Sequence, residues 1–360
     1  MKFSTQLLLP FFLALAPSAL AASPSDLQAQ IGHHVIFSYP GLEPPAHLLD
    51  LIKEGKVGGI ILFGENVGDN LTITIDNIQE TYKQSPYYAG SPLFIMTDQE
   101  GGEVRRLDGG PVQSAKQIGQ AADPEAAATQ MGKDAANTLE KFKNNVNLAP
   151  VLDVYREAGD FADAYQRSFS NSSRTVATCG SAFIAAQQSA NIVASAKHFP
   201  GLGAAHAGEN TDLQPVTIDL TLEELRKVDM EPYRKAIAAG VDMVMTSWAI
   251  YPALDSTYPS GMSKTIIQNE LRGRLGFKGV TITDAIEAGS LTAFGDQAAR
   301  GLLAAQAGVD ILLAAKRDVT QGEDIYNALS AALQDGSLDE AAFSAATQRI
   351  LEVRKKLVAV

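Results

Sequence analysis

A single cysteine, Cys179, stands in the 360 residues. One thiol cannot close an internal disulfide and cannot build a Cys/His zinc cluster, so stability has to come from a buried core. Cys179 itself falls in the apolar pattern of a helix, where a thiol behaves as an inert small hydrophobe. Basic residues are also scarce: 29 lysines and arginines stand against 41 acids, a formal charge of -12. An acidic surface argues against nucleic acid and anionic membranes as partners. Charged residues make up only 19% of the chain and hydrophobic ones 46%, which excludes global disorder. No glycine-rich phosphate loop, low-complexity tract or linker is present.

Apolar runs of membrane length are missing too. The one conspicuous run, residues 7–16, is short and terminal. Lys2 precedes it and Ala19-Leu20-Ala21 follows it. A positive start, an apolar middle and an A-x-A end are the three parts of a secretory signal. The expected organisation is therefore a signal peptide over 1–21 and one mature domain over 22–360, secreted and extracellular. Asn70-Leu71-Thr72 and Asn171-Ser172-Ser173 are sequons, which makes Asn70 and Asn171 candidate glycosylation sites.

What is present is alternation. Short apolar, β-branched runs occur at 34–38, 57–63, 93–97, 146–154, 192–197, 241–247, 279–283 and 309–314. Helical periodicity fills the gaps at 46–54, 73–83, 124–141, 174–190, 222–239, 264–275 and 297–307, and continues at 324–333 and 340–357. Thr221 with Glu224 forms a capping-box pattern, Ser263 is a good N-cap, and Gly240, Gly276 and Gly308 stand where helices should end. The strands are apolar throughout rather than alternating, as parallel strands buried on both faces should be. Eight such units predict a single-domain (β/α)8 TIM barrel, a fold of about 250 residues or more. A doubly wound open sheet is the alternative, and it would more often carry a phosphate loop.

In a barrel the chemistry gathers at the C-terminal strand ends. There the sequence places Asp98, Glu100, Arg105 and Arg106 after the third strand, Asp153 at the fourth, Lys197 and His198 at the fifth, Trp248 after the sixth and Asp284 at the seventh. Carboxylates beside cations, without a metal-type cluster, suit polyol recognition and carboxylate catalysis. Trp248 is read either as core or as a platform that stacks on a sugar, and we place it with the substrate-binding set.

These segments resemble glycoside hydrolase family 3. Lys197-His198-Phe199-Pro200-Gly201 looks like its K-H-F-P-G signature, and Asp98-Gln99-Glu100-Gly101-Gly102 with Arg106 resembles its D-Q-E-G-G block. Asn147 through Val154 resembles its N-x-A-P-V-x-D-V strand, Arg167-Ser168-Phe169 its R-S-F, and the strand ending in Asp284 the one that bears its nucleophile. The single-domain β-N-acetylhexosaminidases are the most similar branch. The resemblance implies a retaining exo-β-glycosidase with Asp284 as nucleophile. Asp98, Arg106, Arg167, Lys197 and His198 would then hold the terminal sugar. Glu100 is expected to bind backbone in the Gly101-Gly102 turn, and Arg105 to lie at the surface.

The chain departs from the branch in the loop that carries its Asp-His general acid/base. Leu202 replaces a histidine, and counting from Lys197 or back from Pro215 gives no histidine at the expected place. The loop from Gly203 to Asp212 offers His206, Glu209 and Asp212; we take His206 with Glu209 as the candidate acid/base pair in reversed order, with Glu209 alone as the rival. Three activities stay open: a β-N-acetylhexosaminidase, a β-glucosidase-like or phosphorolytic variant, and a catalytically impaired carbohydrate-binding protein. The expected partner is a carbohydrate substrate. No nucleic acid, membrane, cofactor or metal is expected, and the chain is read as a monomer.

Overall fold

The structure, a computed structural model, describes residues 24–357, and the expected signal peptide lies outside them. Eight parallel strands close into a barrel in which every strand pairs with its neighbours in sequence and the last returns to the first. They are Val35–Phe37, Gly59–Ile61, Phe94–Thr97, Val146–Asn147, Val193–Phe199, Met243–Thr246, Val280–Ala285 and Ile311–Leu313. The barrel expectation holds. Along the third strand Phe94 and Met96 point into the barrel while Leu93 and Ile95 meet the helices outside. Both sets are buried, so the period-two alternation of side chains is real but invisible in hydropathy. Helix Glu340–Arg354 supplies Ile350 and Val353 to the barrel-interior cluster.

Three expectations need correction. The run 146–154 pairs regularly only over Val146–Asn147. Pro150 has no N–H to give a ladder, and beyond it only Val151 bridges to Lys197. The expected helix 222–239 is broken: a helical turn Leu222–Glu224 runs into a π-helical turn, Leu225–Asp229, before helix Glu231–Ala238. Pro232 sits in the first turn of the second piece, where its missing N–H costs nothing. The helix expected at 324 starts earlier, at Val319, because Asp318 caps it. Gly240, Gly276 and Gly308 do end helices, with φ of 81°, 73° and 96°. Short helices at Ala115–Gly119 and Phe161–Ala164 lie in the loops above the barrel, and Pro24–His33 opens the described chain.

Two irregularities position the chemistry. On the fifth strand three residue steps, Ala196 to Phe199, match two on the sixth, Val244 to Thr246. On the seventh strand three steps, Ile282 to Ala285, match two on the eighth, Ile311 to Leu313. Each extra residue is a bulge, which re-aims side chains locally. The bulges fall at Lys197-His198 and at Thr283-Asp284.

Candidate active site

A cavity of about 230 Å³ opens at the C-terminal end of the barrel. Ile61, Leu148, Met245 and Leu313 line its apolar part, and Phe63 and Phe161 also contribute to its wall. Asp98, Glu100, Arg106, Arg167, Lys197, His198, Asp212 and Asp284 supply its polar lining. Of the residues expected to hold a sugar, all but Trp248 reach it.

Most of these charges are tied together. Lys197 is buried, and its Nζ lies 2.7 Å from both Asp98 Oδ1 and Glu100 Oε1. Arg167 grips Glu100 with two hydrogen bonds, Nε at 2.9 Å and the terminal nitrogen at 2.7 Å. Arg106 stands 4.0 Å from the second Asp98 oxygen, and its Nε has no protein partner among the described residues. Burial alone would raise the Glu100 carboxyl. The Arg167 and Lys197 charges, with their hydrogen bonds, overcome this and hold it well below the usual carboxylate range. Burial would likewise strip the proton from Lys197, but Asp98 and Glu100 raise its pKa. Glu100 thus binds side chains rather than the backbone of its turn. It fixes two cations, while Arg105 secures the turn by donating to the carbonyls of Gly102 and Gly109. Gly101 and Gly102 adopt φ of 111° and 59°, the left-handed geometry the turn requires.

Asp153 lies beneath the cavity. One oxygen accepts from His198 Nδ1 at 2.7 Å, and the other accepts from the backbone N–H groups of His198 and Leu202. Burial opposes its charge, but His198 and these donors lower its pKa. His198 is thereby oriented with its Nε2 free of any protein partner among the described residues.

Asp284 differs from Asp98 and Glu100. It is half-buried at the bulged end of the seventh strand and, among the described residues, accepts only from its neighbour's N–H, Ala285 N at 2.8 Å. No cation pairs with it among the described residues. Trp248 is 1% exposed and lines no part of the cavity, so it is not a stacking platform. Its indole N–H donates to the carbonyl of Ala285 at 2.8 Å, which places it behind the seventh strand as a support for the residue after Asp284.

The loop after the fifth strand also corrects the sequence reading. His206 is exposed and turns its Nδ1 toward Asp160, 3.3 Å away, which does not line the cavity either. Glu209 accepts from the backbone N–H of His206 at 2.7 Å, not from its imidazole. Neither lines the cavity. Asn210, Thr211 and Asp212 do.

The motifs of the sequence thus bring strand-end carboxylates and cations to one partly apolar cavity. The glycosyl hydrolase family 3 N-terminal domain matches residues 29–353. The chain belongs to glycosyl hydrolase family 3. It is 55% identical, over 97% of its length and 99% of the relative's, to an uncharacterised secreted glycosyl hydrolase of Arthroderma benhamiae. It is 34% identical to a beta-hexosaminidase of Tolumonas auensis, over 76% of this chain and 80% of that one. A family 3 beta-N-acetylglucosaminidase from Paenibacillus superposes with a TM-score of 0.85 at 30% identity, over 92% of this chain. The chain spans 62% of that longer protein. As a family 3 member the chain is a glycoside hydrolase.

One site feature was not legible in the motifs. Phe63 and Phe161 flank the cavity, yet one ended an apolar run and the other sat in a loop. Asp212 is among the residues the loop offers, yet the sequence favours His206 and Glu209 over it; Gly289 N and Ser290 N hold the backbone of Asp212 and Thr211 beside the cavity.

Proposed function

We propose that this chain is a secreted, retaining exo-β-N-acetylhexosaminidase that releases a terminal sugar through a covalent glycosyl-enzyme on Asp284. The observation that carries the reading is the isolation of that carboxylate. Asp98 and Glu100 are neutralised by the buried Lys197, and Glu100 by Arg167 as well, whereas Asp284 faces the same cavity with no paired cation among the described residues. An ionised, unpaired carboxylate is what attack on an anomeric carbon needs. The paired set around Lys197 is held rigid and offers hydrogen bonds to hydroxyls, which suits an uncharged polyol. A cavity of about 230 Å³, floored by the barrel, has room for a terminal sugar rather than a chain passing through. The N-acetylhexosamine preference rests on the named relatives, and export on the charged, apolar and A-x-A parts of residues 1–21. Asn70 and Asn171 are both exposed, as glycan acceptors must be.

The test is hydrolysis of aryl β-glycosides of N-acetylglucosamine, N-acetylgalactosamine, glucose and galactose, with the product anomer followed by NMR. We expect the N-acetylhexosaminides to be cleaved first and the β-anomer to be released. A 2-deoxy-2-fluoro glycosyl fluoride should label Asp284 alone. An inverted product or a label elsewhere rejects the mechanism, and binding without turnover on every substrate rejects the enzyme.

A further inference from the structure

We propose that Asp212 is the proton donor and acceptor of this reaction, a role that rests on the reading of Asp284 as nucleophile. Asp212 lines the cavity that holds Asp284, and its carboxylate makes no hydrogen bond or ion pair among the described residues. The loop bearing it is fastened at both ends. On the outer side Phe161 N donates to Ala205 O at 3.0 Å, and the His206 contact to Asp160 lies beside it. On the inner side Gly289 N donates to Asp212 O at 2.8 Å and Ser290 N to Thr211 O at 3.1 Å. Gly289 and Ser290 follow the seventh strand after three residues, Ile286 to Ala288, so the segment just beyond the nucleophile also holds the Asp212 backbone. The approach is tight: a Cβ on Gly289 would stand 2.4 Å from the carbonyl oxygen of Leu213. Only glycine permits this contact without a shift.

The charges that face Asp212 fit the task. The residue as a whole is exposed at the cavity mouth, yet the protein crowded around that mouth raises its pKa, and the Asp284 charge raises it further. His198 and Arg167 draw it partly back, and Asp98 adds to the rise. A carboxyl so placed keeps its proton to higher pH than a free aspartate. In the first step Asp284 attacks C1 and the C1–O bond breaks. Its electron pair goes to the glycosidic oxygen, which takes the proton from Asp212. Asp284 is then an ester and carries no charge, so the main like charge opposing ionisation of Asp212 is gone. The ionised Asp212 can take a proton from water as that water attacks C1 and returns Asp284 to a carboxylate.

The experiment compares leaving groups in Asp212→Ala and Asp212→Asn. Alkyl β-N-acetylglucosaminides should lose roughly 10²–10⁴-fold in kcat/KM. Dinitrophenyl glycosides, whose leaving group needs no proton, should keep nearly wild-type kcat/KM and show a burst. Azide should restore turnover of Asp212→Ala and yield the β-glycosyl azide, because azide can displace Asp284 without giving up a proton. The alkaline limb of the wild-type pH profile should flatten in Asp212→Asn. Gly289→Ala, which shifts the loop, should show the same leaving-group split in milder form with KM little changed. If Asp212→Ala cleaves alkyl glycosides like wild type, or azide has no effect, this inference fails while the reading of Asp284 stands. If His206→Ala or Glu209→Ala shows the split instead, the proton comes from the outer part of the loop. Wild-type protein inert on every glycoside would overturn both readings.

Discussion

The two ends of the barrel use the same residue types for opposite ends. At the N-terminal end Asp310 is fully buried, and its carboxylate takes Arg272 at 2.6 Å and Arg349 at 2.7 Å, as well as the N–H of Thr281. Nearby, Arg354 is buried and donates to the carbonyls of Pro92 and Ser91. His34 bonds the Asp310 carbonyl with one nitrogen and Thr347 with the other. At the C-terminal end most charges are also paired, but they border a cavity, and neither Asp212 nor Asp284 forms an ion pair among the described residues. The difference teaches where satisfaction stops being the aim. At the bottom the Asp310 carboxylate is saturated and holds helices to strands, with only Arg272 Nε left over among the described atoms of that network; at the top the unpaired carboxylates face a cavity, where a ligand can complete them.

The largest effect that would test the contrast is on chemistry at the top. Asp284→Ala should lower kcat by about 10³-fold or more. Its melting temperature should stay near wild type, since no protein partner loses a charge. A parallel fall in melting temperature would mean that Asp284 is structural. Next in size is the mirror experiment. Asp310→Ala takes the shared carboxylate away from the partly buried Arg272 and Arg349, and should cost about 3 kcal/mol in denaturant unfolding, the low end for breaking a buried pair because Arg272 keeps its carbonyl acceptors. The protein that remains folded should keep its kcat. If stability is unchanged, the bottom network is not holding the barrel.

A pH experiment sharpens the same point. Burial first, with the Arg349 charge adding to it, lowers the His34 pKa from 6.5 to about 4, and its bond to Asp310 only partly offsets this. The folded state therefore binds fewer protons than the unfolded one between these values. Stability is full above the unfolded pKa and falls as pH drops from about 6.5 to about 4, by about 3 kcal/mol at ~1.4 kcal/mol per unit. The slope should be smaller in His34→Gln, measured as melting temperature against pH. The smallest effect is at Trp248. Trp248→Phe loses the bond to the Ala285 carbonyl, worth about 1 kcal/mol. A kcat reduced by a few-fold with KM unchanged is the mark of a support for Asp284, and a large KM rise would restore Trp248 to the sugar site.

How much of this could be read in the sequence follows from the same physics. The strands were legible because burial on both faces makes them continuous apolar runs. The polar lining of the cavity was legible because Asp98, Arg106, Arg167, Lys197 and His198 all sit at strand ends or in the loops just above them. Trp248 was misplaced because position relative to a strand end does not fix direction, and here a close contact with Gly261 packs the ring inward. The break at Met230 is marked in the sequence only by Pro232, and the helical periodicity of 222–239 runs through it. The loop was hardest. Its inner residues are placed by Gly289 and Ser290, far along the chain, and no count forward from Lys197 contains that information.

The clamp between Gly289 and Asp212 makes two distant stretches of sequence one heritable unit. A chimera that receives only residues 203–212 from this chain would carry the aspartate without the seat that aims it. A chimera that receives only the segment after the seventh strand would carry a seat with nothing resting on it. Recombination between this chain and a relative with the Asp-His loop should therefore yield active offspring only when both stretches come from the same parent.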